Sequence, residues 1–428
     1  MIKEIALPYR DEMITVKVPS KNLAYVVSPG ALSGVSDPVA EVKRALANPI
    51  GLAPLADLVK ARGRNVVLLV DDMTRSTPQK VILPAILDAL NQAGVQDEEI
   101  TAIISLGTHR PMTDAEILER YGETAVRRIK FYNHDCYDRE QLVEVKNPHS
   151  ETPILVNRRY YESDISIAVG NIIPHMYAGW AGGAKMVQPG VCGAATTGET
   201  HYLAAEHVHE ILGNIDNPVR REIENVAALT GLTMIVNTIL NANHEIVQIV
   251  AGEPTAAHRA GVEIAKQIYQ IEVDDYCDIV VASASPADLD FWQSIKALNN
   301  CALAVKPGGV LVLAAADPEG VANDHPDLVK LGVSSAEEAK AAFAAGEITD
   351  KVGLATYLAM NLNRNRVRVI LVSKGISQAQ AAAIGLDWAP DVQAALERAT
   401  ALTGPDSRIG VVTQGADIYF KVKNRSGL

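Results

Sequence analysis

Short runs of β-branched and aliphatic residues alternate along this chain with longer stretches whose apolar positions recur at helical spacing. That alternation predicts strands and helices packed in α/β layers. Val66–Val70 is wholly apolar, reads as a buried strand and ends at Asp71-Asp72. Thr77-Pro78 then opens a helix expected to run to about Ala93, with proline where a helix needs no N–H donor. Residues 100–105 form the next expected strand, ending at Gly107-Thr108-His109, and Thr113 with Glu116 makes a capping box that starts another helix. Residues 165–169 are a third strand and lead straight into a glycine-rich loop. These strands all end in polar loops. In open α/β sheets ligands sit beyond the carboxyl ends of the strands, so the loops are expected to converge.

A second unit starts near Tyr276. Strands are expected at 277–282, 310–316 and 367–372, and helices at 335–345 and 391–401. Residues 253–273 read as a helix joining the two units, with a hinge at 270–276. The chain is therefore expected to form two α/β domains. Residues 1–270 make the first, with 408–428 a candidate to complete it, and residues 276–405 make the second.

Composition supports this and narrows the partners. The 428 residues are 48% hydrophobic but only 5% aromatic, so Ala, Val, Ile and Leu must fill the cores. A formal net charge of −12 disfavours nucleic acid and anionic lipid, and it obliges any anionic substrate to find a local cationic pocket. Cys136, Cys192, Cys277 and Cys301 form no CxxC pair, which fits free thiols in a reducing compartment. The first residues lack an apolar signal core and the longest apolar runs are strand-length, so a cytoplasmic protein without a membrane segment is expected.

The chemistry gathers in a few loops. Between Gly170 and Gly190 lie His175, Lys185 and the glycines Gly179, Gly182 and Gly183, and His201 follows shortly after. Glycine allows close backbone approach, so this loop is expected to wrap a phosphate or a flat cofactor with its N–H groups. In the segment 71–78, Arg75 and the hydroxyls suit a phosphate or carboxylate and Asp72 suits ribose hydroxyls, although a capped turn with a solvated ion pair fits equally well. His109 after its strand, taken alone, is more often a surface residue. Gln293 and Lys296 share a helix face beside Trp292, which an ordinary amphipathic helix start would also produce. The sequence carries no HExxH, cysteine cage, DxDxDG or Walker lysine motif. Histidines and cations with so little carboxylate point to acid–base work on a small anion.

Taken together, DDMTRSTP (71–78), GTHR (107–110), IPHMYAGWAGGAKMVQPG (173–190) with His201, and WQSIK (292–296) resemble the nickel-pincer lactate racemase family of 2-hydroxyacid racemases and epimerases. The resemblance covers most of the chain, and the long loop is its specific part. It implies an isomerase with a cofactor site in the cleft between two α/β domains. The implied cofactor is a nickel-pincer nucleotide, the nickel complex of pyridinium-3,5-bisthiocarboxylic acid mononucleotide. Lys185 would carry it through a thioamide bond, His201 would ligate nickel, and Asp72, Thr74, Gly182, Gly183 and Gly190 would contact it. His109 and His175 are implied as paired general bases, with Arg75, Tyr177, Trp292, Gln293 and Lys296 around the substrate. The implied reaction is a hydride shuttle through a 2-keto acid. Implied partners are a small 2-hydroxyacid and the enzymes that build the cofactor and insert nickel. The chain departs from the pattern at Trp292, where lactate racemases carry tyrosine; the wall is bulkier and lacks the hydroxyl, which points away from lactate. On the residues themselves two other readings remain: a zinc hydrolase or lyase using His109, His175 and His201, and a non-catalytic sensor of a phosphorylated ligand.

Overall fold

The computed structural model describes residues 1–424; residues 425–428, the end of the 408–428 stretch, lie outside the described residues. Val66–Val70 is buried throughout and runs through the middle of a six-stranded sheet. In order the strands are Ile246–Gly252, Met234–Leu240, Ile165–Asn171, Val66–Val70, Ile100–Ile104 and Lys130–Asn133. All neighbours are parallel except Ile246–Gly252, which runs antiparallel to Met234–Leu240. A parallel strand covered on both faces has no polar side to show, which is why this segment is continuously apolar. Val66, Leu68 and Val70 pack with the helices Pro38–Ala47, Gln79–Gln92 and Asp114–Arg128. Val67 and Leu69 face the other way, toward the glycine-rich loop and the helix Pro218–Leu229.

The second sheet is six-stranded and parallel, in the order Asp387–Trp388, Arg368–Val372, Val305–Ala314, Cys277–Ser283, Ile409–Val412 and Leu23–Val27. Here the structure corrects two expectations. Ile409–Val412, a candidate to complete the first unit, pairs instead with Cys277–Ser283 in the second. The N-terminal residues also join the second sheet: Leu23–Val27 forms its edge, and the hairpin of Ile2–Tyr9 and Glu12–Pro19 packs Leu7, Val16 and Val18 against Ile279 and Val281. An apolar run does not specify which of two sheets it enters; long-range pairing decides that. The expected helix over 253–273 is also shorter. It runs Pro254–Tyr269, and Gln270–Val273 becomes a strand paired in parallel with Tyr419–Val422, so the expected hinge carries backbone pairing.

From Val66–Val70 the chain builds outward through Ile100–Ile104 to Lys130–Asn133, then returns to the opposite side with Ile165–Asn171. That reversal is a topological switch point, where diverging loops open a crevice at the carboxyl edge. The loops carrying Asp72 and Lys185 leave the two strands that flank it. Across the cleft, Cys277–Ser283 leads to the helix Phe291–Ala302, which carries Gln293 and Lys296. All four cysteines are buried and free, and among the described residues no helix is long and apolar enough to cross a membrane.

Candidate active site

Loops beyond the carboxyl ends of the first sheet, with the helix Phe291–Ala302 of the second unit, line a cavity. Its wall includes Asp72, Arg75, His109, His175, Tyr177, Gly182, Lys185, Gly190, His201, Trp292, Gln293 and Lys296. Thr74 and Gly183, expected against the cofactor, are not part of it. Thr74 Oγ1 turns to Asp72 Oδ1 at 2.6 Å and lines a neighbouring cavity. Gly183 N–H donates to Asn237 Oδ1 at 2.7 Å. The Lys185 and Gly190 N–H groups also bond within the loop, to Gly182 O and Lys185 O. These three N–H groups are therefore not open to a ligand, and the glycines also serve close packing. At Gly182 φ is +74° and a Cβ would lie 2.7 Å from Asn171 O; at Gly190 it would lie 2.2 Å from Met186 O.

His109 is aimed by its neighbours. Its Nδ1 lies 2.6 Å from Asp72 Oδ2, while Asp72 Oδ1 accepts from Thr74 N–H at 3.0 Å and from Thr74 Oγ1. Burial alone would raise the Asp72 pKa; His109, Arg75 and Thr74 outweigh it and hold the carboxyl well below its usual range. A carboxylate can only accept, so the proton belongs on His109 Nδ1 and Nε2 is left with a free lone pair. Gln293 Nε2 donates to that atom at 3.2 Å, and Lys296 Nζ in turn donates to Gln293 Oε1. The Gln293 side chain is placed by the helix start, where Asp290 Oδ1 caps Gln293 N–H at 2.8 Å. Asp72 lines the cavity, as a cofactor contact requires, but both its oxygens are already engaged.

Burial disfavours the charged forms of the remaining groups. His175 is 7% exposed and its Nδ1 accepts from Tyr177 N–H at 3.2 Å. Burial, followed by the cations of Lys185, Lys296 and Arg75, pushes its pKa well below the usual imidazole value. Burial and the neighbouring Arg75 and Lys296 likewise push Lys185 well below the ordinary lysine range. Lys296 falls to about 7, through burial first and Arg75 second. His201 falls to about 4, through burial and then Lys185, and its Nδ1 donates to Thr197 O at 2.9 Å. Anchoring one ring nitrogen to a backbone carbonyl turns the other toward the cavity, the usual support of a metal-ligating imidazole.

Several contributors carry no signal in the sequence. Arg220 is fully buried and donates to Ala178 O at 3.3 Å and to Trp180 O, fixing the glycine-rich loop from behind. In an amphipathic helix beside Arg221 it looks like a solvated charge. His325 stacks on Trp292 with ring centroids 3.8 Å apart, pairs with Asp350 Oδ2 at 2.6 Å and reaches Thr108 Oγ1 at 3.1 Å, tying the His109 loop to the second unit. Ser105 Oγ, Asn171 Nδ2, Tyr177 Oη, Thr197 Oγ1 and Thr356 Oγ1 are buried on the cavity wall and find no hydrogen-bond partner among the described residues. Buried polar atoms are nearly always paired, so five on one wall fit an occupant rich in polar groups, as a mononucleotide is. The donor set fits the implied cofactor. A three-histidine zinc cage fits less well, because no three His, Cys, Asp or Glu side chains among the described residues are grouped to hold a metal ion.

A cavity lined by imidazoles and basic side chains is suited to acid–base chemistry on a small anion. Two family models say which kind. The lactate racemase N-terminal domain matches residues 9–213 and the lactate racemase C-terminal domain matches residues 273–420. The chain belongs to the lactate racemase family and is an isomerase of the racemase and epimerase class. The lactate racemase of Thermoanaerobacterium thermosaccharolyticum is 27% identical over 98% of this chain and 99% of its own length. That of Lactiplantibacillus plantarum is 29% identical over 74% and 75%. The apoprotein structure of the Thermoanaerobacterium enzyme has a TM-score of 0.86 at 25% identity, covering 98% of this chain and 100% of that one. A Thermotoga maritima structure shares the fold, with a TM-score of 0.72 at 20% identity over 90% and 99% of the two chains.

Proposed function

We propose that this isomerase inverts C2 of a 2-hydroxyacid with the help of a nickel-pincer nucleotide held in the cleft. When bound, that group supplies the acceptor and donor for the α-hydride. Lys185 offers a low-pKa amine suited to thioamide attachment, and His201 offers Nε2 to the nickel. Ser105, Asn171 and Thr197 give the nucleotide polar contacts near that end of the cavity.

The rest of the work falls to the chain's own side chains. Arg75 and Lys296 hold the substrate carboxylate, and Gln293 ties Lys296 to the base. His109 Nε2 takes the hydroxyl proton of one enantiomer, while Asp72 stabilises the imidazolium that forms. His175 serves the other enantiomer; in the neutral ring its Nδ1 accepts from Tyr177 N–H and the proton sits on Nε2, so it acts as a base only when the Tyr177 contact opens and frees the Nδ1 lone pair. Two bases facing one cavity allow reaction in both directions. Trp292 and His325 close the wall and limit water.

The observation that carries this reading is His109, held between Asp72 and Gln293 on a wall shared with His175 and Lys185. The enzymes that make the cofactor and insert nickel are its required partners, and the cytoplasm is its proposed location. The test is to co-produce the protein with those enzymes and assay enantiopure 2-hydroxyacids, from lactate to gluconate, for inversion. Inversion of any member supports the reading. Failure across the panel with nickel and cofactor present on the protein overturns it.

A further inference from the structure

Two of the unpartnered hydroxyls differ from the others in where they come from. Tyr177 belongs to the glycine-rich loop of the first unit, whereas Thr356 belongs to the helix Lys351–Arg366 of the second. Tyr177 is 8% exposed and Thr356 2%, and both line the cavity. The threonine hydroxyl is near enough to act on the phenol, whose pKa burial would otherwise raise further, yet the two do not reach hydrogen-bond geometry. The Tyr177 ring lies 6.0 Å from the His175 ring and 5.1 Å from the His201 ring. It thus lies beside both imidazoles.

The neighbours decide what belongs there. Arg75 and Lys296 are the cations available to a carboxylate. His109 and His175 serve C2. Next to His175 stands Tyr177, with Thr356 beside it on the same cavity wall, and a tail on C2 placed on that side meets the pair. An aliphatic tail would leave these buried hydroxyls no partner but each other, without good hydrogen-bond geometry, an unfavourable arrangement. A hydroxyl on the tail satisfies both, because phenol and alcohol each donate and accept.

We infer that Tyr177 and Thr356 form a hydroxyl-recognition subsite and that the substrate is a polyhydroxy 2-hydroxyacid, bearing at least one hydroxyl beyond C2. The inference rests on the racemase reading above and adds the substrate class to it. A subsite built to hydrogen-bond a hydroxyl rejects the analogue that lacks one, because its own polar groups are then stranded.

Matched acids that differ only in the tail test it. Enantiopure glycerate is compared with lactate, and threonate with 2-hydroxybutyrate, on cofactor-loaded enzyme. The expected result is a kcat/KM for the hydroxylated acid that is larger by about tenfold or more. In the Tyr177→Phe/Thr356→Val double variant that ratio collapses toward one, while Thr356→Ser, which keeps the hydroxyl, retains most of it. Nickel content and intact mass are measured on every variant. The inference is overturned if wild type uses both members of each pair equally, or if the preference survives in the double variant. It is also overturned if the double variant loses its cofactor, since the hydroxyls would then serve the nucleotide. If loaded wild type inverts none of these acids and none of the wider panel, the racemase reading itself fails and the subsite with it.

Discussion

Replacing Asp72 by asparagine removes one charge and almost no volume, and the local geometry fixes its consequence. Oδ1 accepts two donors from Thr74, the N–H at 3.0 Å and Oγ1 at 2.6 Å, so the amide oxygen of the variant has to stay on that side. The amide NH2 is then turned onto His109 Nδ1, which today sits 2.6 Å from an oxygen. Nδ1 must become an acceptor and the ring proton moves to Nε2. There it meets Gln293 Nε2, a donor 3.2 Å away, and the base loses its lone pair. Loss of the charge-assisted bond alone is worth about 1.5–3 kcal/mol, or roughly 10- to 150-fold in rate. The wrong tautomer adds to this, and the same exchange in a serine protease triad lowers kcat about 10⁴-fold. Asp72→Asn is therefore expected to lower kcat by about 10² to 10⁴ with KM little changed. The assay follows inversion from each enantiomer by chiral chromatography, with nickel and intact mass recorded alongside. A variant that keeps its cofactor and more than about a tenth of the wild-type kcat would refute the role given to Asp72.

Lys185→Ala should abolish covalent attachment, seen by intact mass as loss of the cofactor adduct, while circular dichroism stays that of wild type. Arg220→Ala strands the carbonyl of Trp180, worth about 1–3 kcal/mol when left unpaired, and leaves Ala178 O with only the 3.4 Å contact from Asn217 Nδ2; a lower melting temperature is expected, and an unchanged one would remove Arg220 from the loop's support. Lys296 has its pKa lowered to about 7, so its ammonium is charged below that pH and neutral above it. Affinity of the free enzyme for an anionic substrate, followed by calorimetry, should weaken as pH rises through that region, and Lys296→Arg should flatten the profile because guanidinium keeps its charge.

The sequence by itself determined several central strands, several helix starts and the loops that carry chemistry. Val66–Val70 and Ile165–Asn171 are legible because a doubly covered parallel strand must be apolar throughout, and Thr113 with Glu116 because a capping box is local. The family motif was legible for the same reason: His175, Lys185 and His201 lie within one stretch whose spacing survives without any knowledge of the fold. Only the tertiary structure decided which sheet received Ile409–Val412 and the N-terminal residues, because pairing partners hundreds of residues apart leave no mark on either segment alone. It also decided the roles of neighbours. Asp72 and Gln293 lie far apart in sequence and meet at opposite nitrogens of His109, Arg220 is buried behind a loop it does not belong to, and Tyr177 and Thr356 face one cavity from two units. Periodicity and capping are short-range properties, readable along the chain. Desolvation, ring orientation and unpaired hydroxyls are set by what folds against a residue from elsewhere.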